Sequence, residues 1–448
     1  MNEIESRPYF CSFSPDVIPY QRLVIDEIEC FDYSTGNLEI LLSGSMGSAK
    51  SILMAHLAVR HCLEFKGACV AICRRGLPDL KKTIWAEIND HMSEDFEEGY
   101  HYRLNRAEMV KTFKNGSKII CCTWADKRYK KFRSLKLSML VIEEIVENDE
   151  EDEEAFKQLK ARLRRIPHIP QNILIAATNP DAPGHWVHRY FIAQSYPNRK
   201  VFYSKTEDNP FLDKIYTQQL RRDMSINEAK RYLDGEWVEI SGEVIYSEYK
   251  RERNFKDTEY QIDKRYPIGI SWDFNIGEGK PMSSVLFQYI KDQFHFFDEV
   301  IISGARTQDT ISEIDDRKLF FSDAKYIVCG DAAGKHKDTR SSKSDYDIIK
   351  EELDKRNISY DYQVPLSNPA IRSRHNRVNA YCLNGLNEVR LFVYRKCKTL
   401  DLGFRLVKLK KGSYIEDDSK EYQHVTTAAG YAIMKLSEPK PIQRSMRL

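Results

Sequence analysis

The chain has 448 residues, a formal net charge of +2 and 42% hydrophobic residues. This length predicts more than one domain, and the near-neutral charge does not by itself indicate a nucleic-acid-binding protein. No apolar run approaches the ~18 residues of a membrane span, and the N-terminus lacks the apolar region of a secretory signal. The ten cysteines lack the paired spacing of a zinc site, so we expect reduced core thiols.

The first half of the chain predicts an α/β fold. From Leu38 to Ala177, short apolar segments rich in branched residues alternate with helical patterns. This alternation predicts a parallel sheet with helices on both faces. The pattern turns helical after Pro210, which indicates a small helical connector. From Tyr266 onward, three successive strand patterns followed by βα units predict a second domain with a mixed sheet.

The string GSMGSAKS has the form of a phosphate-binding loop. It matches G-x-x-x-x-G-K-[ST] except at Ala49, follows a predicted strand and opens a predicted helix. In that context the loop N–H groups face phosphates, Lys50 reaches the β- and γ-oxygens, and the Ser51 hydroxyl holds Mg²⁺. We expect alanine to be tolerated at position 49 if its φ angle is negative. The predicted ATP-binding residues of the loop are Gly44, Ser45, Gly47, Ser48, Ala49, Lys50 and Ser51.

Two glutamates end the later apolar strand LSMLVIEE. By position, Glu143 binds Mg²⁺ through water and Glu144 orients the water that attacks the γ-phosphate. Two glutamates at a strand end are also consistent with solvated surface. Because Lys50 lies upstream in the required order, we favour the nucleotide site.

Three further residues are candidates for the same site. The amide of Gln21 matches the hydrogen-bonding edge of adenine, and the neighbouring Tyr20 is placed to stack on the base, although a glutamine before a helix is commonly just exposed. Thr178 and Asn179 end the next predicted strand, where they would sense the nucleotide state. A plain strand-ending turn explains the last pair equally well.

Asp273 and Asp331 each end an apolar strand of the second domain. Carboxylates at the ends of neighbouring strands suit a two-metal site for phosphodiester cleavage, although aspartate is also a common turn former. The loop after Asp331 is basic, and its candidate DNA-binding residues are Lys335, Lys337 and Arg340. A solvated loop is the alternative interpretation of that segment.

The ordered series of strings resembles one family, the large terminase subunits of tailed double-stranded DNA bacteriophages. These proteins couple ATP hydrolysis to DNA packaging and cut the concatemer. The strings that carry the resemblance are PYQ, GSMGSAKS, LVIEEIVE, AATNP, TEDNPFLD, YLDGEWVEISGEVIY, SWDF, VCGDAAG and HVTTAAGYAI. The resemblance implies an additional-strand, RecA-like P-loop ATPase domain over residues 1–206, a helical linker over 207–245 and a ribonuclease-H-like nuclease domain over 246–448.

Residue by residue, the resemblance implies the following roles. Gln21 falls on the adenine motif, and Thr178 and Asn179 fall on the coupling motif. Lys50 and Ser51 belong to Walker A, Glu143 and Glu144 to Walker B and its catalytic glutamate, and Asp273 and Asp331 to the first two nuclease acids.

One position departs from the family pattern. The family's last helix typically carries His-x-x-Asp-Ala, whereas this chain has His424, Val425, Thr426, Thr427 and Ala428. A hydroxyl binds Mg²⁺ far less tightly than a carboxylate does. We expect His424 to supply the missing ligand, with Asp417 and Asp418 as nearby alternatives, and we expect a nuclease that is weak, metal-selective or lost.

The resemblance further implies a motor subunit that uses ATP and Mg²⁺, with Mn²⁺ as an alternative at the nuclease site. Its implied partners are double-stranded DNA, the portal protein, the small terminase subunit and other copies of the chain in a pentameric ring. Its implied location is the cytoplasm of the bacterial host and, transiently, the procapsid. In such rings an arginine of the neighbouring subunit completes the ATP site, and the candidates are Arg74, Arg75, Arg106, Arg128 and Arg133.

Two other functions compete with this one. A helicase-like ATPase fused to a repair nuclease predicts unwinding motifs and a second ATPase lobe, which the sequence lacks. A P-loop structural protein with an inactive nuclease domain is favoured by Thr427 but opposed by the presence of Lys50 and Glu144.

Overall fold

The computed structural model describes residues 13–125, 135–146, 149–164, 166–239, 244–275, 280–337, 343–410 and 415–438. The chain divides into two compact units. The first extends to Thr217 and includes Lys230–Glu239, and the second comprises Gln218–Ala229 and the residues from 240 onward. The segment predicted as a linker, 207–245, is therefore shared between the two units. None of the described helices has the length and hydrophobicity needed to span a membrane.

The first unit is built on an eight-stranded sheet with the order β3-β4-β5-β2-β6-β7-β1-β8. Six neighbouring strands are parallel, as predicted, whereas β3 and β4 add an antiparallel edge. These two strands were missed because each has only four residues and one is largely exposed. The strands are β1 Leu38–Gly44, β2 Cys69–Arg74, β3 Tyr102–Asn105, β4 Val110–Phe113, β5 Lys118–Thr123, β6 Met139–Ile142, β7 Ile173–Thr178 and β8 Arg199–Ser204.

Helices cover both faces of this sheet, which is why every residue of β1 is buried. One apolar cluster joins α1, α2 and α4 to one face, and a second cluster joins α5 and the segment around Trp186 to the other. The helices are α1 Pro19–Cys30, α2 Lys50–Glu64, α3 Leu77–Lys82, α4 Ile84–Met92 and α5 Asp149–Lys160, followed by α6 Lys214–Asp223 and α7 Ile226–Tyr232, which cross the boundary between the units.

Strand β7 lies between β1 and β6. The strand that leads into the phosphate loop is therefore separated from the strand of the two glutamates by one additional strand, which matches the predicted additional-strand architecture. Ser43 of β1 pairs with Thr178 of β7. The carboxyl ends of all three strands consequently meet at one edge of the sheet.

The second unit contains a seven-stranded mixed sheet with the order β14-β13-β10-β11-β12-β15-β9. Strands β10, β11 and β12 form the predicted antiparallel meander, and the remaining neighbours are parallel. The predicted mixed sheet is confirmed. The strands are β9 Phe255–Lys256, β10 Ile268–Asp273, β11 Met282–Ile290, β12 Gln293–Ile302, β13 Lys325–Gly330, β14 Ser359–Tyr362 and β15 Leu391–Tyr394.

In the described part of this unit, six α-helices accompany the sheet. One apolar cluster joins α11, α12 and α13 to one face, and another joins α9 and α10 to the opposite face. Side chains of successive strand residues alternate between the two clusters, as in Leu286 and Phe287. The helices are α8 Arg251–Asn254, α9 Thr307–Asp316, α10 Asp345–Lys355, α11 Ile371–Cys382, α12 Lys398–Leu406 and α13 Glu421–Leu436.

Two candidate functional sites

The phosphate loop connects β1 to α2, as predicted. Helix α2 begins at Lys50, so the loop ends at a helix N-terminus, where free N–H groups and the helix dipole favour bound phosphate. Small side chains are required here, because a Cβ at Gly44 would lie 2.0 Å from Ser204 Oγ. The loop therefore has the backbone and the helix terminus of a phosphate cradle.

Ala49 does not have the negative φ angle expected of it. Its backbone is left-handed, with φ +63° and ψ +33°. That conformation costs an L-residue about 1–2 kcal/mol, so the tolerance predicted for alanine on conformational grounds was wrong. Two contacts from α1 hold the turn: Gln21 Nε2 donates to Ala49 O at 3.1 Å, and Tyr20 Oη donates to Ser48 O at 2.9 Å.

The Lys50 ammonium lies inside the loop. It donates to Gly44 O at 2.8 Å and to Ser45 O at 2.7 Å, and the residue is only 8% exposed. Burial lowers the pKa of Lys50 to about 8, although the carboxylates of Glu144 and Glu143 oppose this effect. A cation with so little solvent around it interacts strongly with an anion brought into the loop.

Glu143 and Ser51 meet at the start of α2. The Ser51 hydroxyl donates to Glu143 Oε1 at 2.9 Å, and Glu143 is buried at the end of β6. A hydroxyl and a carboxylate oxygen thus converge on one point, and hard oxygen ligands of this kind are what Mg²⁺ prefers. The two residues predicted as the metal side of the nucleotide site are brought together.

Asn179 connects the loop lysine to the second glutamate. Its Oδ1 accepts a hydrogen bond from Lys50 Nζ at 3.3 Å, and its Nδ2 donates to Glu144 Oε1 at 3.2 Å. Burial raises the pKa of Glu144, while the charges of Lys50 and Arg74 oppose the shift. Thr178 is buried and donates through Oγ1 to the carbonyl of Asn179 at 2.7 Å. The strand end predicted to couple the site therefore touches both of its charged groups.

A cavity of about 580 Å³ opens above the loop, a size typical of nucleotide and other small-ligand sites. Its lining includes the apolar side chains of Phe13, Val17, Ile18 and Phe211, and Gln21 also lines it. Tyr20 is buried against the loop and does not line the cavity, so its predicted stacking on a base was wrong. Two other aromatic residues line the cavity, the buried Phe13 and Phe211, which is 78% exposed. The residues present therefore fit ATP with Mg²⁺.

In the second unit, Asp273 ends β10 and Asp331 directly follows the neighbouring strand β13, at corresponding positions of the two strands. Trp272 of β10 pairs with Gly330 of β13, and Asp331 N donates to Trp272 O at 2.9 Å. Only glycine fits at position 330, where φ is +134° and a Cβ would lie 2.4 Å from Trp272 O. The close approach of the two strands thus places the backbones of the two aspartates next to each other at the carboxyl ends of β10 and β13.

Side chains and one backbone N–H of the same unit hold both carboxylates. Asp273 Oδ2 accepts from Asn275 Nδ2 at 2.7 Å and lies 3.1 Å from His424 Nδ1. Asp331 Oδ1 accepts from Ala333 N and from Asn368 Nδ2, each at 2.7 Å. Both aspartates are buried. His424 of α13 is therefore beside the predicted acids.

The third acid position is occupied by the neutral Thr427, which belongs to a buried hydrogen-bond network. Thr427 is 4% exposed, and its Oγ1 accepts from Gln423 Nε2 at 2.9 Å. The same Gln423 nitrogen donates to Glu416 Oε2 at 2.9 Å, and Arg374 and His375 both bond to Glu416 at 2.6 Å. Although burial opposes it, the contacts of His375 and Arg374 lower the pKa of Glu416 to about 2.

Among the described residues, no three histidine, cysteine or acidic side chains are close enough to hold a metal ion together. The predicted constellation of Asp273, Asp331 and His424 as joint ligands of a two-metal site is therefore not formed. Asp418 instead pairs with Lys280 and Lys410 at 2.6 and 2.7 Å. Two carboxylates with water and phosphate oxygens fit one Mg²⁺ ion.

The basic loop after Asp331 only partly fits the predicted DNA contacts. Lys335 donates to the carbonyls of Val364 and Pro365 at 3.2 and 2.8 Å, so its ammonium fixes a loop of the same unit. Lys337 is exposed and keeps its predicted role as a candidate. Arg340 lies outside the described residues.

Residues 37–236 match the family model described as the phage terminase large subunit. The predicted resemblance to large terminases is confirmed. No curated protein sequence matches the chain.

The fold is also similar to that of solved large terminases. A crystal structure of the large terminase from a thermophilic bacteriophage is 14% identical, with a TM-score of 0.51, over 92% of this chain and 97% of that one. A second structure of the same phage enzyme, in complex with ATP-gamma-S, is 14% identical, with a TM-score of 0.50, over 93% and 98% of the two chains. At this identity the likeness establishes a shared fold.

The string TEDNPFLD carried the resemblance to large terminases, but no task was predicted for it. In the structure it holds the phosphate loop: Thr206 Oγ1 donates to Met46 O at 2.7 Å and Asn209 Nδ2 donates to Gly47 O at 2.8 Å. Leu212 packs so closely that a Cβ at Gly47 would lie 2.9 Å from its Cδ1. The feature of the sequence that could have indicated this role is the clustering of asparagine, proline and small polar residues in the string.

The arginines predicted as candidates to complete a neighbouring subunit's ATP site have different contacts. Arg74 bonds to Glu143 of its own chain, with Nη1 3.3 Å from Oε2, which contradicts a role in a neighbouring subunit's site. Arg106 is exposed and forms a bidentate pair with Glu98. Arg128 and Arg133 lie outside the described residues, and nothing in the described part distinguishes a role for Arg75.

Proposed function

We propose that this chain is a subunit of a viral DNA-packaging motor. ATP hydrolysis in the first unit drives double-stranded DNA into a procapsid, and the second unit is a metal-dependent endonuclease that cuts concatemeric DNA. The observation that carries the proposal is the chain of contacts from Lys50 through Asn179 to Glu144. These are a phosphate-binding lysine, a coupling amide and a carboxylate placed to orient water.

The residues of the nucleotide site have different roles in ATP hydrolysis. Lys50 and the loop N–H groups bind the phosphates, and Ser51 with Glu143 would hold Mg²⁺, which neutralises charge on the β- and γ-phosphates when bound. Glu144 orients the attacking water. Asn179 contacts both Lys50 and Glu144, so loss of the γ-phosphate changes its two partners at once. That change is a local switch at a strand end.

The proposal extends to partners and location. The motor subunit acts on double-stranded DNA, docks on a portal protein with a small terminase subunit, and forms a pentameric ring with other copies. It works in the cytoplasm of a bacterial host and transiently on the procapsid. The family match of residues 37–236 supports the role in DNA packaging from which these partners and this location are inferred.

The ATPase is tested by steady-state ATP hydrolysis with the full chain, with and without double-stranded DNA. Lys50→Ala is expected to lower turnover at least 100-fold, because the phosphates lose their main cation. Lys66→Ala, which removes an exposed lysine after α2, is the matched control. Turnover that is equal in the wild type and Lys50→Ala would contradict the proposal.

The nuclease is tested on plasmid DNA with Mg²⁺ or Mn²⁺. Asp273→Ala is expected to abolish cutting, since it leaves a single acid at the sheet edge. Asp323→Ala removes an exposed carboxylate of the same unit and is expected to cut like the wild type. Cutting that survives Asp273→Ala would overturn the site.

A further inference from the structure

The two oxygens of Glu143 have different partners. Oε1 accepts from the Ser51 hydroxyl at 2.9 Å. Oε2 is contacted by three groups: the Thr83 hydroxyl, Arg74 Nη1 at 3.3 Å and the backbone N–H of Ile84 at 3.4 Å. One oxygen thus faces the phosphate loop, while the other is held by groups outside the loop.

The local sequence explains how these three groups converge. Helix α3 ends at Lys82 and α4 begins at Ile84, and Thr83 between them has φ −113° and ψ −106°. This break directs the Thr83 hydroxyl and the first free N–H of α4 toward Glu143, and a helix N-terminus favours a carboxylate. Arg74 ends β2, the direct neighbour of β6, so its guanidinium approaches from the adjacent strand.

The Thr83 hydroxyl links the other donors. It lies 3.1 Å from Arg74 Nη1, which donates to it. Its single proton has two acceptors in reach, Glu143 Oε2 and the carbonyl of Asp79 at 2.8 Å. A charged carboxylate is the stronger acceptor, so the proton goes to Glu143. Thr83 is thereby the central member of the group.

A glutamate needs such a group where P-loop enzymes ordinarily use aspartate. The longer side chain has one more rotatable bond, and fixing it costs conformational entropy. Glu143 is also buried, where a carboxylate requires hydrogen-bond donors. We propose that Arg74, Thr83 and the Ile84 N–H, together the Glu143 clamp, position Glu143 for Mg²⁺. The clamp rests on the proposed ATPase function.

Two variants are expected to show the effect of the clamp on Mg²⁺ binding. Thr83→Val keeps the shape of the side chain but removes its proton, and loss of a partner behind a metal ligand typically costs about 10- to 100-fold in metal affinity. Glu143→Asp shortens the ligand, which is then expected to keep its contact with Ser51 and lose the clamp, so aspartate is expected to perform worse here than glutamate. Thr83→Ser retains the hydroxyl and is the matched control.

The experiment titrates Mg²⁺ against binding of a fluorescent ATP analogue to the full chain, with ATP hydrolysis measured in parallel. Thr83→Val is expected to raise the half-saturating Mg²⁺ concentration at least 10-fold, and Thr83→Ser to match the wild type. Binding in EDTA is expected to be the same for all three, which separates loss of the clamp from general damage. If valine impairs folding, judged by thermal unfolding, Thr83→Ala replaces it.

A double-mutant cycle completes the test. Once Glu143→Asp has lost the clamp, adding Thr83→Val is expected to change Mg²⁺ dependence by less than about twofold, whereas independent residues would give additive effects. Additive effects, or a Thr83→Val protein that binds Mg²⁺ like the wild type, would overturn the clamp. If hydrolysis and binding are instead the same in the wild type and Lys50→Ala, the proposed ATPase function itself fails.

Discussion

The nucleotide site and the strand-end acid site use the same kind of sheet edge but are assembled differently. In the first unit the functional side chains contact each other, since Lys50 reaches Asn179, Asn179 reaches Glu144, and Ser51 reaches Glu143. In the second unit, Asn275 and His424 bond to Asp273, and Asn368 bonds to Asp331, but no contact among the described residues joins the two acids to a functional cation. A site whose functional side chains are linked by hydrogen bonds is already organised for its ligand, whereas two separate acids depend on the cation that joins them.

This difference predicts that the two sites require different Mg²⁺ concentrations. The nucleotide site offers a hydroxyl, a carboxylate and a clamp around one Mg²⁺ position. The acid site offers two carboxylates and the neutral Thr427, and a neutral oxygen is the weaker ligand. We therefore expect ATP hydrolysis to saturate at lower Mg²⁺ than DNA cutting does.

Glu144→Gln is the substitution that separates the two sites most strongly. The amide keeps the size and the contact with Asn179 but does not orient water as a base, so hydrolysis is expected to fall about 10²- to 10⁴-fold. Binding of ATP with Mg²⁺ and cutting of plasmid DNA are expected to persist. Measuring turnover, binding and cutting on one preparation checks this. A variant that hydrolyses ATP within tenfold of the wild type would exclude Glu144 as the catalytic carboxylate.

Glu416→Gln tests the network that replaces the third acid. Loss of this buried charge leaves Arg374 without its partner, and breaking such a pair typically costs about 3–5 kcal/mol. The pKa of Glu416 is lowered from its ordinary 4.5 to about 2, so its stabilisation is present above pH 4.5 and is lost as the pH falls toward 2. The shift corresponds to about 3 kcal/mol.

Urea unfolding of the wild type and Glu416→Gln at several pH values measures this effect. The difference in the free energy of unfolding is expected to be full at pH 7 and to shrink steadily below pH 4.5. Glu421→Gln changes an exposed carboxylate at the start of α13 and is expected to cost less than about 1 kcal/mol. A Glu416→Gln difference that is independent of pH would contradict the assigned ion pair.

Asn368→Ala is expected to affect the acid site and not the nucleotide site. Asn368 donates to Asp331 Oδ1 and accepts from Ala332 N at 2.9 Å, so it fixes the direction of one acid without carrying charge. Its removal is expected to slow cutting about 10-fold and to leave ATP hydrolysis unchanged. Ser367→Ala, at the exposed neighbouring position, is the control. Equal cutting by all three proteins would assign Asn368 a purely structural role.

Much of both sites was predictable because the motifs are local. A loop with fixed spacing after a strand, and acids at the ends of apolar strands, are set by sequence neighbours, and Lys50, Glu143, Asp273 and Asp331 all lie where these rules place them. The parallel pairing of the central strands also followed from the alternation of strand and helix. The short antiparallel strands β3 and β4 were missed because four residues carry too little pattern.

What was not predictable depends on contacts between distant segments. Thr83 and Asn209 are ordinary polar residues in the sequence, and their tasks arise only when folding brings them to partners that lie 60 and 162 positions away. The same holds for Glu416, which supports Thr427 through Gln423. His424 was predicted to supply the missing ligand, but its imidazole bonds to Asp273 and does not complete a three-ligand group among the described residues.

Ala49→Gly is expected to have the smallest effect. It tests the left-handed backbone at Ala49, whose φ angle was expected to be negative. Glycine adopts the left-handed turn freely, which removes about 1–2 kcal/mol of strain, but it adds freedom to the unfolded chain worth about 0.5–1 kcal/mol. We expect a gain of up to about 1 kcal/mol in urea unfolding. Ala58→Gly, inside α2, is expected to lose about 1 kcal/mol or more. If both variants lose stability equally, the loop is not strained at Ala49, and the contacts of Gln21 and Tyr20 with it have no strain to offset.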